Sequence, residues 1–220
     1  MSLTATLTAT VEAVFVGEPG IIGTVGGRPV ESAIAKARVA VPELDLAPTN
    51  LAGDRQADLT VHGGVDKAVY VYPTDHYPVW RSEGFAVEVG GLGENVALAG
   101  VVEDDVRLGD VWRWGEALVE VSQPRAPCYK LALHTGRKDI GARMLATGRS
   151  GWYLRVVRPG RVPTGGTMTL VERPEDAATL RETFGLMFDE AFADAATLDR
   201  VLASPALAES WRVSLAARRG

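Results

Sequence analysis

The chain has 220 residues, 46% hydrophobic and 23% charged, the balance of an ordinary globular protein with one full core and room for a small appendage; disordered and fibrous classes are excluded. Its 23 Lys and Arg against 28 Asp and Glu give a formal charge of −5, which argues against general binding to nucleic acid or anionic membrane and confines any anion site to a local pocket. A single cysteine excludes an internal disulfide and fits a reducing compartment; with no signal-like start and no run of membrane-spanning length, the expected location is cytoplasmic.

From Thr10 to about Glu172 short extended segments alternate with Gly and Pro, the pattern of a mainly β domain with helices only as insertions. Thr10 to Val16 is β-branched and bounded by Gly17 and Pro19, which predicts a core strand. Ala68 to Tyr72 predicts another, ended by Pro73, and Thr74 is placed to cap a helix running to Arg81. Val111 to Trp114 and Ala117 to Ser122 flank Gly115-Glu116, a two-residue loop whose leading glycine suits a type II′ hairpin. Pro124, lacking an N–H, is expected to end the second strand and leave Arg125 to Cys128 on a loop at the rim of the sheet. Asp139 to Thr147 reads as a short helix closed by Gly148, and Gly151 to Val157 and Thr167 to Val171 as two further strands. Many short strands favour a barrel or sandwich.

After Glu172 the chain becomes alanine-rich with helical spacing. Pro174-Glu175-Asp176 resembles a first helical turn leading to Leu180 and Phe184; Asp189 is placed to cap a second helix, and Ser204-Pro205 to open a third. The Leu207, Trp211, Leu215 stripe reads as packing rather than a binding face. The expected organisation is a β domain over 10–171 and a helical extension over 172–220.

Cys128 stands in Ser122-Gln123-Pro124-Arg125-Ala126-Pro127-Cys128-Tyr129-Lys130, between two cations. Fixed positive charge favours thiolate, the form that attacks or binds metal, whereas the plainer alternative is a small buried hydrophobe. His62-Gly63-Gly64-Val65-Asp66-Lys67 joins a titratable ring, two glycine amides and a cation, a turn able to cradle an anion. Its alternative is a solvated Gly-Gly turn. Gly90-Gly91-Leu92-Gly93-Glu94-Asn95 fits neither a Walker loop nor a dinucleotide fingerprint, and Asn95 offers either a ligand amide or a turn former. Gly53-Asp54-Arg55-Gln56-Ala57-Asp58 alone reads as a solvated loop. Lys36, Arg55, Lys67, Arg125 and Lys130 all fall near predicted strand ends, where one rim would gather them around a phosphate-bearing ligand. The three histidines, His62, His76 and His134, form no zinc-binding spacing.

In this order the Gly53–Asp58, His62–Lys67, Asp75-His76-Tyr77, Gly91–Asn95 and Ser122–Lys130 motifs resemble the MOSC family, named after the C-terminal domain of molybdenum-cofactor sulfurases, and in particular its YiiM-type branch. The resemblance spans about Thr10 to Leu170, and the tail is similar to that branch's three-helix extension. Ser32 and Val65 depart from the pattern, where threonine and proline are expected; neither change removes a ligand.

The resemblance implies a MOSC-type β-barrel that binds a molybdenum cofactor of molybdopterin type, with Cys128 as the thiolate ligand to the metal. Lys36, Arg55, Lys67, Arg125 and Lys130 become candidates for the cofactor's phosphate and pterin. His62, Gly63, Gly64, Asn95 and Gln123 would line the site, His62 also with a catalytic role. The implied reaction, independent of pyridoxal phosphate, reduces N-hydroxylated compounds such as hydroxylaminopurines to amines, with electrons from a flavoprotein partner. The alternatives are a sulfur carrier using a Cys128 persulfide, a thiol hydrolase pairing Cys128 with one of the histidines, and a binding module built on the C-terminal helices.

Overall fold

A computed structural model of the chain describes residues 6–57, 63–192 and 194–219. The β-branched run Thr8–Val16 forms β1, which leads into the hairpin of β2 (Gly20–Val25) and β3 (Arg28–Ser32). That hairpin was not expected from sequence, although Gly26-Gly27 is its signal: both residues take positive φ, as a two-residue type I′ turn requires. Short strands β4 (Ala37–Arg38) and β5 (Glu43–Leu46) precede a 3-10 turn at Val65–Lys67 and β6 (Val69–Pro73). Next come α1 (His76–Ser82), β7 (Val96–Ala99), and the expected hairpin of β8 (Val111–Trp114) and β9 (Ala117–Pro124). Only Gly115 of its two loop residues has positive φ, in keeping with type II′.

Two helices, α2 (Tyr129–Thr135) and α3 (Ile140–Thr147), lie between β9 and β10 (Trp152–Arg158), followed by β11 (Gly160–Pro163) and β12 (Gly166–Glu172). The tail carries α4 (Leu180–Phe188), α5 (Ala195–Ala203) and α6 (Glu209–Ala216). Among the described residues no helix is long and apolar enough to cross a membrane.

Strands run in the order β12-β8-β9-β10-β6-β7-β1, and β1 pairs back onto β12, closing seven strands into a barrel. All neighbours in this ring are antiparallel except β6 and β7, whose parallel pairing needs a crossover, and the segment holding α1 supplies it. A register shift between Val11 and Ala13 changes which side of β1 faces inward. Val11 and Val14 therefore join the barrel core, while Ala13 and Phe15 pack with Ala97 in a separate cluster. Trp112, Trp114 and Trp152 fill the same core, and Trp114 Nε1 donates to the Pro163 carbonyl at 2.9 Å.

A second cluster joins Tyr70, Tyr72, Tyr77 and Trp80 to Leu131, Ile140 and Met144 of α2 and α3, and a third packs α4 to α6 on Leu108. Leu180 belongs to the barrel core itself, so the tail is seated in the barrel.

Several boundaries differ from expectation. The N-cap of α1 is Asp75, one residue after Thr74. Residues 174–178 are not helical; α4 begins at Leu180, because Thr179 and Glu182 form a reciprocal capping box and Asp176 sits at φ +56°, outside a helix. Asp189 leads only a 3-10 turn, and Asp194 caps α5. Ser204-Pro205 opens a turn, with α6 starting at Glu209. Strand β9 runs on through Pro124, which still opposes Trp152, a strand-end position where a missing N–H costs little.

Candidate functional site

The register of β9 against β10 places Gln123 opposite Tyr153 and Pro124 opposite Trp152, and the chain then leaves the sheet. Arg125 N–H still donates to the Gly151 carbonyl at 3.1 Å, anchoring the loop at its first residue. Cys128 ends that loop in extended conformation, φ −120° and ψ 165°, directly before α2, and is half-buried. The rim position expected from the proline placement is the observed one.

Cys128 opens onto a cavity of about 310 Å³ between the barrel, α2 and the C-terminal helices. Lys36, Arg55, Lys67, Arg125 and Lys130 all line it, with Asp54 as the one carboxylate among its described lining residues. A protein of net charge −5 thus concentrates positive charge in one recess. Gly63, Asn95 and Gln123 reach the same wall, whereas Gly64 does not, and His62 lies outside the described residues.

The cations differ in what they have left to offer. Lys36 is ion-paired with Asp54, both side chains buried, and Asp54 also accepts from Gly17 N–H at 2.9 Å. Arg55 is a mouth residue, its side chain 73% exposed and 3.8 Å from Glu18. Lys130 is buried. Burial lowers the pKa of Lys67 from the ordinary lysine value, with the neighbouring Asp66 carboxylate working the other way.

Arg125 is buried, its guanidinium 4.9 Å from the Tyr70 ring centroid and its Nη1 3.6 Å from Met144 Sδ. Burial opposes its charge, but Tyr70, Tyr153 and Cys128 nearby favour it, leaving the pKa above the usual arginine value. No carboxylate is among the groups that act on it most strongly. A buried guanidinium in this setting has the chemistry to take an anionic partner. Burial also raises the pKa of Tyr70 and Tyr153, so both phenols keep their protons and remain hydrogen-bond donors.

Gln123 is buried with its Nε2 donating to the Pro124 carbonyl at 3.3 Å, while its Oε1 accepts no hydrogen bond among the described residues. Such an acceptor can be met by an ordered water or by a donor on a ligand. The Asn95 amide is engaged on both sides, accepting from Tyr70 N–H at 3.0 Å and donating to the Phe15 carbonyl at 3.2 Å. Gly93 lets its loop close down on the site: a Cβ there would sit 2.5 Å from Ile34 Cγ1 and at φ +82°. Glu94 shapes the same loop by accepting from Gly90 and Leu92 N–H.

Of the described histidines, neither reaches the cavity wall. His76 Nε2 lies 2.7 Å from Glu103, and His134 stands in the last turn of α2 with its pKa lowered by burial.

Sequence reading missed Asp54, Tyr70 and Tyr153 as wall residues, and missed Ser210 and Trp211 of α6. Trp211 does pack in the helical cluster as expected, with Leu207 and Leu215, and lines the cavity as well. Its four-residue spacing is the same for either role and carries no signal of the second.

The chain resembles known proteins along nearly its whole length. The model of the MOSC domain matches residues 58–169, and that of a YiiM-like, 3-alpha helix domain matches residues 179–219. Protein YiiM of Escherichia coli is 40% identical over 197 residues, covering 88% of this chain and 86% of that protein. A protein of Gibberella moniliformis named Reductase is 38% identical over 157 residues, covering 69% of this chain but 28% of its own length. The crystal structure of YiiM from Geobacillus stearothermophilus aligns with a TM-score of 0.79 at 33% identity, covering 96% of this chain and 100% of the other.

Proposed function

Since this chain belongs to the MOSC family and ends in the YiiM-like three-helix domain, we propose that it is an oxidoreductase that binds a molybdenum cofactor of molybdopterin type and reduces N-hydroxylated compounds to amines. The observation that carries the reading is the meeting of Cys128 with the buried guanidinium of Arg125 in a cation-lined cavity. A relative named Reductase supports the oxidoreductase class.

The residues present fit the group. The open Gln123 Oε1 matches the amino and amide donors of a pterin. Arg125, Lys67 and Lys130 match its phosphate, with Arg55 at the mouth, while Lys36 enters already neutralised by Asp54 and serves mainly to hold the loop that bears Asp54. The Cys128 thiolate would bind the molybdenum. When bound, the cofactor supplies two-electron redox chemistry for the balance R-NHOH + 2 e⁻ + 2 H⁺ → R-NH₂ + H₂O. The protein's own contribution is to hold the thiolate beside fixed positive charge, to orient the anionic end of the cofactor, and to shield the site between barrel and helices. Substrates of the hydroxylaminopurine type and a flavoprotein electron donor complete the reading.

Metal analysis of protein made in a cofactor-competent host tests it. Wild type carries molybdenum, and Cys128→Ala loses it together with hydroxylamine reduction while the circular dichroism spectrum is unchanged. Wild type without molybdenum, or a variant retaining as much, rejects the reading.

A further inference from the structure

Three segments that line the cavity are far apart in sequence, and one side chain outside the cavity ties them together. Arg155 follows Tyr153 by two residues on β10, so both project from the same face of the strand, Tyr153 into the cavity wall and Arg155 beyond it. Its Nε and Nη2 donate to Asp66 Oδ1 at 2.8 and 2.7 Å, Nη1 donates to Glu120 Oε2 at 2.5 Å, and Nη2 also reaches the Ala206 carbonyl at 3.2 Å. Glu120 is its cross-strand neighbour on β9, so that contact is built into the register. Asp66 precedes the cavity cation Lys67, and Ala206 lies four residues before Ser210 in the lead-in to α6.

Ser122 doubles the junction: its one hydroxyl proton is shared between the Asp66 carbonyl at 2.6 Å and the Tyr153 carbonyl at 3.1 Å, and its own carbonyl accepts from Ala208 N–H at 3.1 Å. The Val65–Lys67 turn, strands β9 and β10 and the start of α6 are thus fastened at one point. Side chains of Arg155 and Asp66 are three-quarters buried there, at 25% and 28% exposure, where charge-assisted bonds are stiff and directional.

We propose that Arg155 is the positioning residue of the cavity: its guanidinium fork sets the spacing between Lys67, the barrel wall and the α6 wall that carries Ser210 and Trp211. The three-helix domain, which brings no cation to the described lining, thereby governs anion affinity at Lys67. The affinity part of this proposal rests on the anion-binding reading of the site; the coupling between segments does not.

Hydrogen exchange and phosphate binding separate the two. In Arg155→Gln, exchange is expected to quicken in both the Val65–Lys67 turn and the 204–211 segment while β1 and β7 keep their protection. Affinity for inorganic phosphate, measured calorimetrically, is expected to fall about tenfold, as when outer-shell partners of a ligand group are removed. Arg155→Lys is expected to behave like Arg155→Gln, because an ammonium does not reproduce the planar fork. A change in one segment only, a loss of protection throughout the barrel, or a wild-type-like Arg155→Lys overturns the proposal. Wild type that binds no phosphate rejects the anion site, and the exchange pattern then decides the role of Arg155 alone. Should Arg155→Gln fail to fold, Asp66→Asn carries the same exchange test: loosening both segments supports the coupling, and loosening only the turn overturns it.

Discussion

A buried guanidinium with no carboxylate among the described groups that act on it most strongly lowers stability unless something else repays the desolvation, and Arg125 is such a group. Tyr70 and Met144 give it a soft, polarisable bed but no counter-charge. Replacement by an apolar side chain of similar length therefore separates stability from function. Arg125→Met is expected to leave the unfolding free energy unchanged or raise it by on the order of 1 kcal/mol, while phosphate binding is lost. Chemical denaturation and calorimetry on the same protein read both, and a variant that is destabilised by several kcal/mol would make Arg125 structural. The charge of this residue was legible in the sequence, as was its place beside Cys128. The absence of a carboxylate from the described groups acting most strongly on it was not, because it depends on where the flanking acids turn: the first on either side along the chain, Glu120 and Asp139, are committed to Arg155 and Arg137.

At the scale of the element, helix α4 records a contest between two start signals. Pro174 with two following acids is a fair N-terminus, yet the capping box wins: Thr179 Oγ1 accepts from Glu182 N–H at 3.0 Å and Glu182 Oε2 accepts from Thr179 N–H at 2.7 Å. Both orphan donors are satisfied within one turn, whereas the proline signal satisfies none. Thr179→Ala is expected to cost about 1 kcal/mol in a denaturant titration, with Thr179→Ser close to wild type. Equal stability of all three would show the cap to be idle. Strands with β-branched runs, such as β1 and β6, were readable for different reasons: β1 alternates exposed and buried residues from Thr8 to Ala13, whereas β6 is a short, continuously buried run ended by Pro73. The β2–β3 hairpin was overlooked despite its Gly26-Gly27 turn because its strands are mostly exposed and carry no clear buried face, and the β5–β11 pair because its two strands lie far apart in sequence.

For the whole molecule, the question is whether barrel and tail are separable. Leu180 is part of the barrel core, and Leu108 of the barrel-side chain packs in the helical cluster. Arg173 Nη2 meets Asp110 Oδ2 at 2.6 Å, with the Asp110 side chain fully buried. Removal of residues 173–220 strips the partner from a buried carboxylate, opens the barrel core at Leu180 and deletes the Trp211 wall of the cavity. The truncated chain is expected to lose cooperative unfolding and become sensitive to limited proteolysis. A truncated barrel with a sharp thermal transition would instead establish the tail as an independent module.

What the sequence by itself determined was the chemistry available and most of its local setting: one thiol between two cations, glycine-rich turns, short β-branched strands and a helical tail. Those features depend on residue type and near-neighbour spacing, which the chain carries openly. Tertiary structure decided which charges remain to act on a ligand. Lys36 is met by Asp54 across 18 residues, Asp66 by Arg155 across 89, and the cavity is closed by Trp211 from the far end of the chain. Pairings at such separations are set by how the barrel closes and where the helices dock, and no local pattern encodes them.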